Sequence, residues 1–145
     1  MIDIRHVYQT FGDRHILKDV SLSIKEGETM VILGASGSGK STLLKLIIGL
    51  LRPTSGKVLV NGKDMGQLSE EALNEERRSM GMVFQYSALF DSLNVKENVA
   101  FGLRMHTRLS EEKIDAIVKE KLHLVGLDGI EDLMPANLSG GMKKR

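Results

Sequence analysis

Apolar and polar residues alternate in two stretches of the first 24 residues. Ile2 and Ile4 alternate with the charged residues Asp3 and Arg5, and Val20, Leu22 and Ile24 are separated by serines. A period of two is typical of a strand that buries one face and exposes the other. The pattern therefore predicts two half-buried strands near the N-terminus, the second of which ends in a turn at residues 26–27.

Two other stretches are apolar without interruption, Met30 to Leu33 and Met82 to Phe84. Short continuous apolar runs are typical of parallel strands that are covered on both faces, so a buried core strand is predicted at each of them. A further short strand is predicted at residues 57–60. Asn61-Gly62 directly after it is a strong signal for a tight hairpin turn.

Helical spacing of apolar residues begins soon after Lys40. Gly49 and Pro53 place the end of this first helix near Leu51 or Arg52. The apolar residues that recur at helical spacing are Leu43, Leu44, Ile47, Ile48 and Leu51.

Further helices are expected after residue 69. Ser69 is suited to cap a charged helix that runs to about Met80, and residues 89–138 are expected to be mostly helical. The clearest helix in that region has Ser110 as its cap and Gly126 as its stop. Its apolar face is formed by Ile114, Ile117, Val118 and Val125.

Composition narrows the classes of protein that fit. A chain of 145 residues is long enough for one ordinary domain, and 41% apolar with 27% charged residues is typical of a globular chain. The net charge of +1 argues against a nucleic-acid partner. Cysteine is absent, which excludes disulfides and cysteine-bound zinc. No apolar run approaches the ~20 residues of a membrane span, so contact with a membrane is expected only through a partner.

The strongest chemical signal is a glycine-rich segment between the predicted strand at Met30 and the predicted helix at Lys40. It fits the phosphate-binding pattern G-x-x-x-x-G-K-[ST], in which glycines let successive N–H groups point at phosphate oxygens. Lys40 is suited to reach the β- and γ-phosphates and Ser41 to bind Mg²⁺. Thr42 extends the segment, which we call the phosphate loop: Gly34, Ala35, Ser36, Gly37, Ser38, Gly39, Lys40 and Ser41.

A phosphate loop alone leaves kinases, GTPases and transport ATPases open. A GTPase would carry an Asn-Lys-x-Asp guanine reader. The nearest string, Asn61-Gly62-Lys63-Asp64, has the wrong order and is better explained as a hairpin turn. A small-molecule kinase remains an alternative at this point.

Three more segments give the chain its resemblance to the ATP-binding-cassette (ABC) transporter family. Phe11, followed by glycine, resembles the aromatic that stacks on adenine, with Tyr8 as the second candidate and a core position as the plain alternative. Gln85 resembles the glutamine whose amide oxygen meets Mg²⁺ or the attacking water. Leu138 to Met142 resembles the family signature L-S-G-G-Q, although Met142 replaces the usual glutamine. In the signature segment, Ser139, Gly140 and Gly141 would contact the γ-phosphate held by another subunit.

The resemblance implies an α/β fold of the phosphate-loop NTPase class, in incomplete form. Residues 1–33 and 57–66 would form a β subdomain, and residues 34–56 and 80–86 part of a RecA-like core. Residues 87–139 would form a helical subdomain, and residues 140–145 the start of the signature helix.

The resemblance also implies partners and a place of action. ATP and Mg²⁺ would be clamped between two such subunits, which would be identical copies. The helical subdomain would dock on a transmembrane permease at the cytoplasmic face of the cell membrane. Met142 with Lys143 to Arg145 further resembles the toluene-tolerance and mammalian-cell-entry-linked branch, which implies lipid as cargo.

Two family elements have no counterpart in the chain. No apolar strand ends in Asp-Glu, because residues 124–128 contain a glycine and lack the Glu. No histidine follows the signature segment: the four are His6, His15, His106 and His123. We therefore expect a fragment, or a chain that needs a partner, with bare apolar faces at its core strands and with nucleotide binding but negligible turnover. The main alternative is a non-catalytic protein that pairs with the permease or a full-length subunit.

Overall fold

The computed structural model describes all 145 residues and divides them into two compact units, residues 1–81 and 82–145. The first unit contains one four-stranded antiparallel sheet with the strand order β2-β1-β3-β4. The strands are β1 (Ile2–Phe11), β2 (Arg14–Ile24), β3 (Ser55–Val60) and β4 (Lys63–Asp64). The alternating pattern near the N-terminus and the strand before Asn61 are thus confirmed. Asn61 and Gly62, with φ of 50° and 82°, form the predicted hairpin turn.

Two helices complete the first unit, α1 (Lys40–Ile47) and α2 (Glu70–Arg77). Ser69 caps α2 as predicted, because its Oγ accepts a hydrogen bond from Ala72 N at 3.3 Å. Helix α1 packs its apolar side against the sheet. The buried core of the unit consists of Ile4, Val7, Leu17, Leu43, Leu46, Ile47, Val58, Val60, Met65 and Leu73.

Helix α1 ends about one turn earlier than the sequence predicts. Gly49 has φ of 69°, a left-handed conformation that stops a helix, and Leu50 N and Leu51 N both turn back to Lys45 O, at 2.9 and 3.2 Å. A Cβ on Gly49 would lie 2.6 Å from Leu73 Cδ2, so any larger residue there would also displace the Leu73 side chain. The expected end at Leu51 or Arg52 was wrong because the glycine stop takes effect before the proline.

The two predicted core strands are not strands. Residues 30–33 and 82–84 have no ladder partner, since the four strands of the only sheet pair with one another. Val31, Leu33 and Val83 are 73%, 87% and 83% exposed. Both segments are apolar, as the sequence analysis states, but a strand also needs a neighbouring strand to pair with. The bare apolar faces expected at these segments are present.

The second unit is helical, with α3 (Val95–His106), α4 (Glu111–Leu124) and two 3-10 turns, Pro135–Asn137 and Met142–Lys144. Ile114 and Val118 are buried as predicted, and Gly126, with φ of 65°, follows the end of α4. Ser110 takes the N-cap backbone conformation, but its side chain makes no capping bond. The core consists of Val95, Ala100, Ile114, Val118, Leu122, Leu127 and Leu138.

The N-terminus of α3 is fixed by two asparagines. Asn94 Oδ1 accepts from Glu97 N at 2.8 Å, and Glu97 Oε2 accepts from Asn94 N at 2.9 Å, which is a complete capping box. Asn98 ties the preceding segment to the helix: its Oδ1 accepts from Phe90 N at 2.8 Å and its Nδ2 donates to Leu93 O at 2.8 Å. None of the helices combines the length and the apolar character that crossing a membrane requires.

Candidate functional site

The phosphate loop is a compact turn that leads directly into α1. Ser38 N donates to Ala35 O at 3.2 Å, and Gly37 and Gly39 take φ of 80° and 94°. Those angles favour glycine because a side chain in the left-handed region clashes with its own backbone. The turn brings the loop back on itself within five residues, and Lys40 begins the helix.

Gly39 also lies in close contact with the sheet. A Cβ at this position would lie 2.7 Å from Leu17 Cδ2 and 3.1 Å from Ile16 Cγ2. The end of the loop therefore rests directly on β2. This contact fixes the position of the first turn of α1 relative to the sheet.

Lys40 folds back over the phosphate loop. Its Nζ donates to Gly34 O at 2.7 Å, to Ala35 O at 2.8 Å and, more weakly, to Ser38 Oγ at 3.3 Å. The ammonium is thus held at the mouth of the loop by neutral acceptors. An anionic oxygen is a stronger acceptor for an ammonium than a carbonyl, so these contacts are exchangeable for a phosphate.

The loop and the start of α1 present donors and positive charge. The first intrahelical bond runs from Leu43 N to Gly39 O at 2.9 Å, so the N–H groups of Lys40, Ser41 and Thr42 are the free donors of the helix. No acidic residue stands between Glu28 and Asp64. The cations in that interval are Lys40, Lys45, Arg52, Lys57 and Lys63. Helix dipole, free N–H groups and local charge all favour an anion at this point.

The far end of α1 is held by an arginine from α2. Arg77 Nε donates to Ile48 O at 3.0 Å and its Nη2 donates to Gly49 O at 2.7 Å. These carbonyls follow the last turn of the helix, where a cation is favoured by the helix dipole. Arg77 therefore fixes one end of α1 while Gly39 and β2 fix the other.

The two aromatic candidates lie in β1, and both are exposed. Phe11 ends β1 opposite Arg14, across the tight turn at Gly12, and is 46% exposed. Tyr8 lies opposite Ser55 and is 41% exposed. Both rings are therefore accessible. The core alternative for Phe11 is wrong, and Phe11 belongs to the same hairpin as Ile16, which contacts the loop.

The remaining candidates belong to the second unit. Gln85 lies in an exposed bend, and its side chain makes no hydrogen bond to protein. Ser139 Oγ accepts from Met142 N at 3.2 Å and Ser139 O accepts from Lys143 N at 3.0 Å, so Ser139 closes a single turn. Gly140 and Gly141 are exposed. Met142, which departs from the family's glutamine, packs its side chain against the core of the unit.

An apolar groove of about 580 Å³ lies within the second unit. It is lined by the unpaired segment Met82 to Leu89, by the end of α4 and by the signature turn, including Leu138 and Met142. Its walls are mainly apolar, and the cations among its lining residues are Lys121, Lys143, Lys144 and Arg145. In the first unit, the residues suited to phosphate binding lie at the surface of that unit, around the phosphate loop.

The residues at the loop fit a magnesium ion. Mg²⁺ takes oxygen ligands and is commonly bound by a hydroxyl together with phosphate oxygens. The side chain of Ser41 is exposed in the first turn of α1 and makes no hydrogen bond to protein, so its hydroxyl is free to serve.

Sequence patterns did not reveal three residues that shape these surfaces. Arg77 is 28 residues from the carbonyl of Gly49 that it contacts, so no local signal links them. Gln9 is buried although strand patterning predicts nothing about it. Asn98 follows the string Asn94-x-x-Glu97, and that capping-box signal would have located the helix start.

Comparison with known proteins gives a consistent result. Residues 17–145 match the family model described as ABC transporter. A probable ribonucleotide transport ATP-binding protein of Mycobacterium leprae is 48% identical over 144 residues, which are 99% of this chain and 42% of that protein. An intermembrane phospholipid transport system ATP-binding protein of Haemophilus influenzae is 46% identical over 145 residues, all of this chain and 55% of that protein. The chain thus spans about half the length of these curated relatives.

Solved structures agree with the sequence comparison. The dimeric post-hydrolysis state of the ATP-binding cassette MJ0796, bound to ADP and Pi, superimposes with a TM-score of 0.89 at 35% identity. The match covers 99% of this chain and 65% of that one. The α/β fold of a nucleotide-binding cassette, represented in part, is therefore confirmed.

Proposed function

The chain belongs to the ABC transporter family, and from this premise we propose that it is an ATP-binding subunit that energises a membrane transporter. The observation that carries the proposal is the geometry around Lys40. Its ammonium is held at the loop by two carbonyls, at 2.7 and 2.8 Å, beside the free N–H groups that begin α1. That arrangement is suited to a polyphosphate.

At the phosphate loop, binding is an exchange of partners. Lys40 Nζ leaves the carbonyls of Gly34 and Ala35 for phosphate oxygens, and the N–H groups of residues 40–42 gain anionic acceptors. When bound, Mg²⁺ neutralises charge on the phosphate oxygens. Ser41 Oγ and the Gln85 amide oxygen are the protein oxygens assigned to it. Phe11 is assigned to stack on the adenine, with Tyr8 as the alternative.

The signature segment is assigned to a second copy of the chain. Ser139, Gly140 and Gly141 would meet the γ-phosphate held by the first copy, so that two subunits clamp each nucleotide. Two facts support this assignment: both glycines are exposed, and the solved structure of the cassette MJ0796 is dimeric. Lys40 and Gln85 are then the residues of this chain closest to the chemistry.

Contact with the permease is assigned to the helical subdomain, residues 87–139. The β subdomain and partial core are assigned as the sequence predicts, to residues 1–33 with 57–66 and to residues 34–56 with 80–86. Contact with the cell membrane, at its cytoplasmic face, would be through the permease. Lipid is the cargo class proposed, because one relative is named for phospholipid transport. Another relative is named for ribonucleotide transport.

Residues 1–145 contain no Asp-Glu pair after an apolar strand. That pair would supply a Mg²⁺ ligand and a group that polarises the attacking water. We therefore expect these residues alone to bind nucleotide with negligible turnover. Measurable ATP hydrolysis that is abolished by Lys40→Ala would contradict this part of the proposal.

Calorimetric titration of MgATP into the chain tests the binding proposal. Lys40→Ala should weaken binding at least tenfold, because it removes the charge that the phosphates engage. Lys45→Ala is the matched control: it removes an exposed cation from the last turn of the same helix and should change the affinity less than twofold. Equal losses of affinity in the two variants would mean that any nearby positive charge contributes alike. That result would contradict the proposal.

A second candidate function is a non-catalytic partner of the permease or of a full-length subunit. The exposed apolar segments 30–33 and 82–84 favour it, because uncovered apolar surface is typical of an interaction surface. Co-expression with an intact transporter distinguishes the two functions. Lower transport would support the second candidate, and unchanged transport would dismiss it.

A further inference from the structure

The groove of the second unit is apolar both where its lining is buried and where it is open to water. Its buried lining residues all have apolar side chains: Val95, Leu122, Leu127, Pro135 and Leu138. Phe84 and Leu124 also line it, yet they are 45% and 68% exposed. Water therefore contacts apolar side chains in the groove, and an apolar ligand that displaced this water would be stabilised by the hydrophobic effect.

Every charged residue that lines the groove is a cation. Four cations line it, and no carboxylate does: Lys121, Lys143, Lys144 and Arg145. Neither Lys143 nor Lys144 takes part in a salt bridge of the chain. Lys121 contacts only Glu120, at 2.9 Å between exposed side chains, which is a weak kind of pair. An apolar groove with positive charge alone is complementary to a ligand that is apolar over most of its length and anionic at one end.

The size of the groove favours a small molecule over a peptide helix. Its volume of about 580 Å³ lies within the roughly 300–1,000 Å³ of sites that hold small molecules. A helix of about eight residues, about 10 Å across and about 12 Å long, occupies roughly 900 Å³. Such a helix would lie on the groove and not within it, whereas a single acyl chain is thin enough to enter.

We propose that the groove binds a single-chain anionic amphiphile of the fatty-acid class. The acyl chain lies against the apolar lining, and the carboxylate meets Lys143 and Lys144, which have no other anionic partner. The site goes beyond the proposed function and is independent of it. All of its lining residues belong to the second unit, and neither Gln85 nor Ser139 is among them.

The first test compares three probes by calorimetric titration into the chain. Dodecanoate, kept below the concentration at which it forms micelles, should bind saturably with one site per chain. Dodecyltrimethylammonium has the same apolar chain and the opposite charge, so it should bind at least about tenfold more weakly. Acetate, which is the head group without the chain, should not bind measurably. Lys40→Ala should bind dodecanoate like the unsubstituted chain, so a failure of nucleotide binding would leave this result unaffected.

Two pairs of variants locate the site. Lys143→Gln combined with Lys144→Gln should weaken dodecanoate binding about tenfold, because both partners of the carboxylate are lost. Lys113→Gln combined with Lys119→Gln is the matched control, since it removes two exposed cations of α4 that do not line the groove. It should change the affinity less than twofold.

The apolar lining has its own pair. Leu124→Gln should weaken binding about fivefold, because it makes an exposed part of the lining polar. Met105→Gln is the control: Met105 is 64% exposed, much like Leu124, and lies outside the groove. Both changes are at exposed positions, so the helical content measured by circular dichroism should stay unchanged.

Several results would overturn the inference. Absence of saturable dodecanoate binding would remove the site, and equal affinity for the cationic probe would show an apolar contact without recognition of charge. Equal losses in the lining and control variants would place the binding elsewhere on the chain. A dimer in sedimentation that Leu124→Gln dissociates and dodecanoate does not would assign the groove to a second copy. Binding of an acidic amphipathic peptide, but not of dodecanoate, that requires Lys143 and Lys144 would assign it to a partner helix.

Discussion

Replacing Arg77 by methionine should destabilise the first unit through α1. The substitution removes the donors to Ile48 O and Gly49 O, at 3.0 and 2.7 Å, and keeps an apolar stem of similar length. The guanidinium side chain is only 26% exposed, so water replaces these bonds incompletely. A hydrogen bond from a charged group contributes about 1.5–3 kcal/mol. Because the two bonds share one guanidinium, we expect a total loss of about 2–3 kcal/mol.

Tyrosine fluorescence makes the measurement specific to the first unit. The chain has two tyrosines and no tryptophan, and the tyrosines lie in different units. Tyr86→Phe leaves Tyr8, in β1, as the only fluorophore. Urea unfolding of Arg77→Met in this background should show a lower midpoint at unchanged slope, because the change lies in stability and not in the surface exposed on unfolding.

Arg78→Met is the matched control for Arg77. Arg78 is the next residue along the chain, and its contact with Glu75 at 2.8 Å joins side chains that are 52% and 68% exposed. Exposed pairs contribute about 0–1 kcal/mol, so this variant should unfold close to the unsubstituted chain. Equal losses of stability in the two arginine variants, or a loss of no more than about 0.5 kcal/mol in both, would contradict the role given to Arg77.

Two further substitutions test the loop and the second unit. Gly39→Ala should cost about 2–4 kcal/mol, because it adds a clash with Leu17 to left-handed strain. Gly37→Ala should cost about 1–2 kcal/mol, because the backbone strain is the same but a Cβ there has no atom within 4 Å. Equal losses for Gly39→Ala and Gly37→Ala in urea unfolding would contradict the clash with Leu17. The hydrogen bond from Arg104 lowers the pKa of Glu111 from 4.5. The ion pair therefore stabilises the fold above pH 4.5 and is lost as the pH falls through the lowered pKa. Glu111→Gln should make the melting temperature fall less steeply below about pH 4.5, whereas Glu112→Gln should not. Identical pH profiles for the two variants would contradict the role of the ion pair.

Local patterns predicted the two N-terminal strands, the hairpin at Asn61 and the cap at Ser69, because each depends on residues close in the chain. The signal for α4 was equally local, and Ile114 and Val118 are buried as expected. The phosphate loop is the extreme case, since its backbone conformation is dictated by its own glycines. These elements could be predicted without any knowledge of packing.

The errors arose where an element depends on a distant neighbour. The segment Met30 to Leu33 has the composition of a core strand, but pairing decides whether it forms one, and composition does not report pairing. Arg77 contacts α1 from 28 residues away, and the pattern of β1 did not indicate that Gln9 is buried. The predicted roles of Phe11, Gln85 and Ser139 concern ligands and second copies, so they stay predictions.

Amide resonances of the chain during titration with MgADP would test the central claim most directly. If the phosphates are held at the start of α1, the largest shifts should occur at Lys40, Ser41 and Thr42, whose N–H groups gain anionic acceptors. The amides of α4 should remain unchanged. Saturable binding that leaves residues 40–42 unshifted, or no binding at all, would contradict the assignment of the phosphate loop as the nucleotide site.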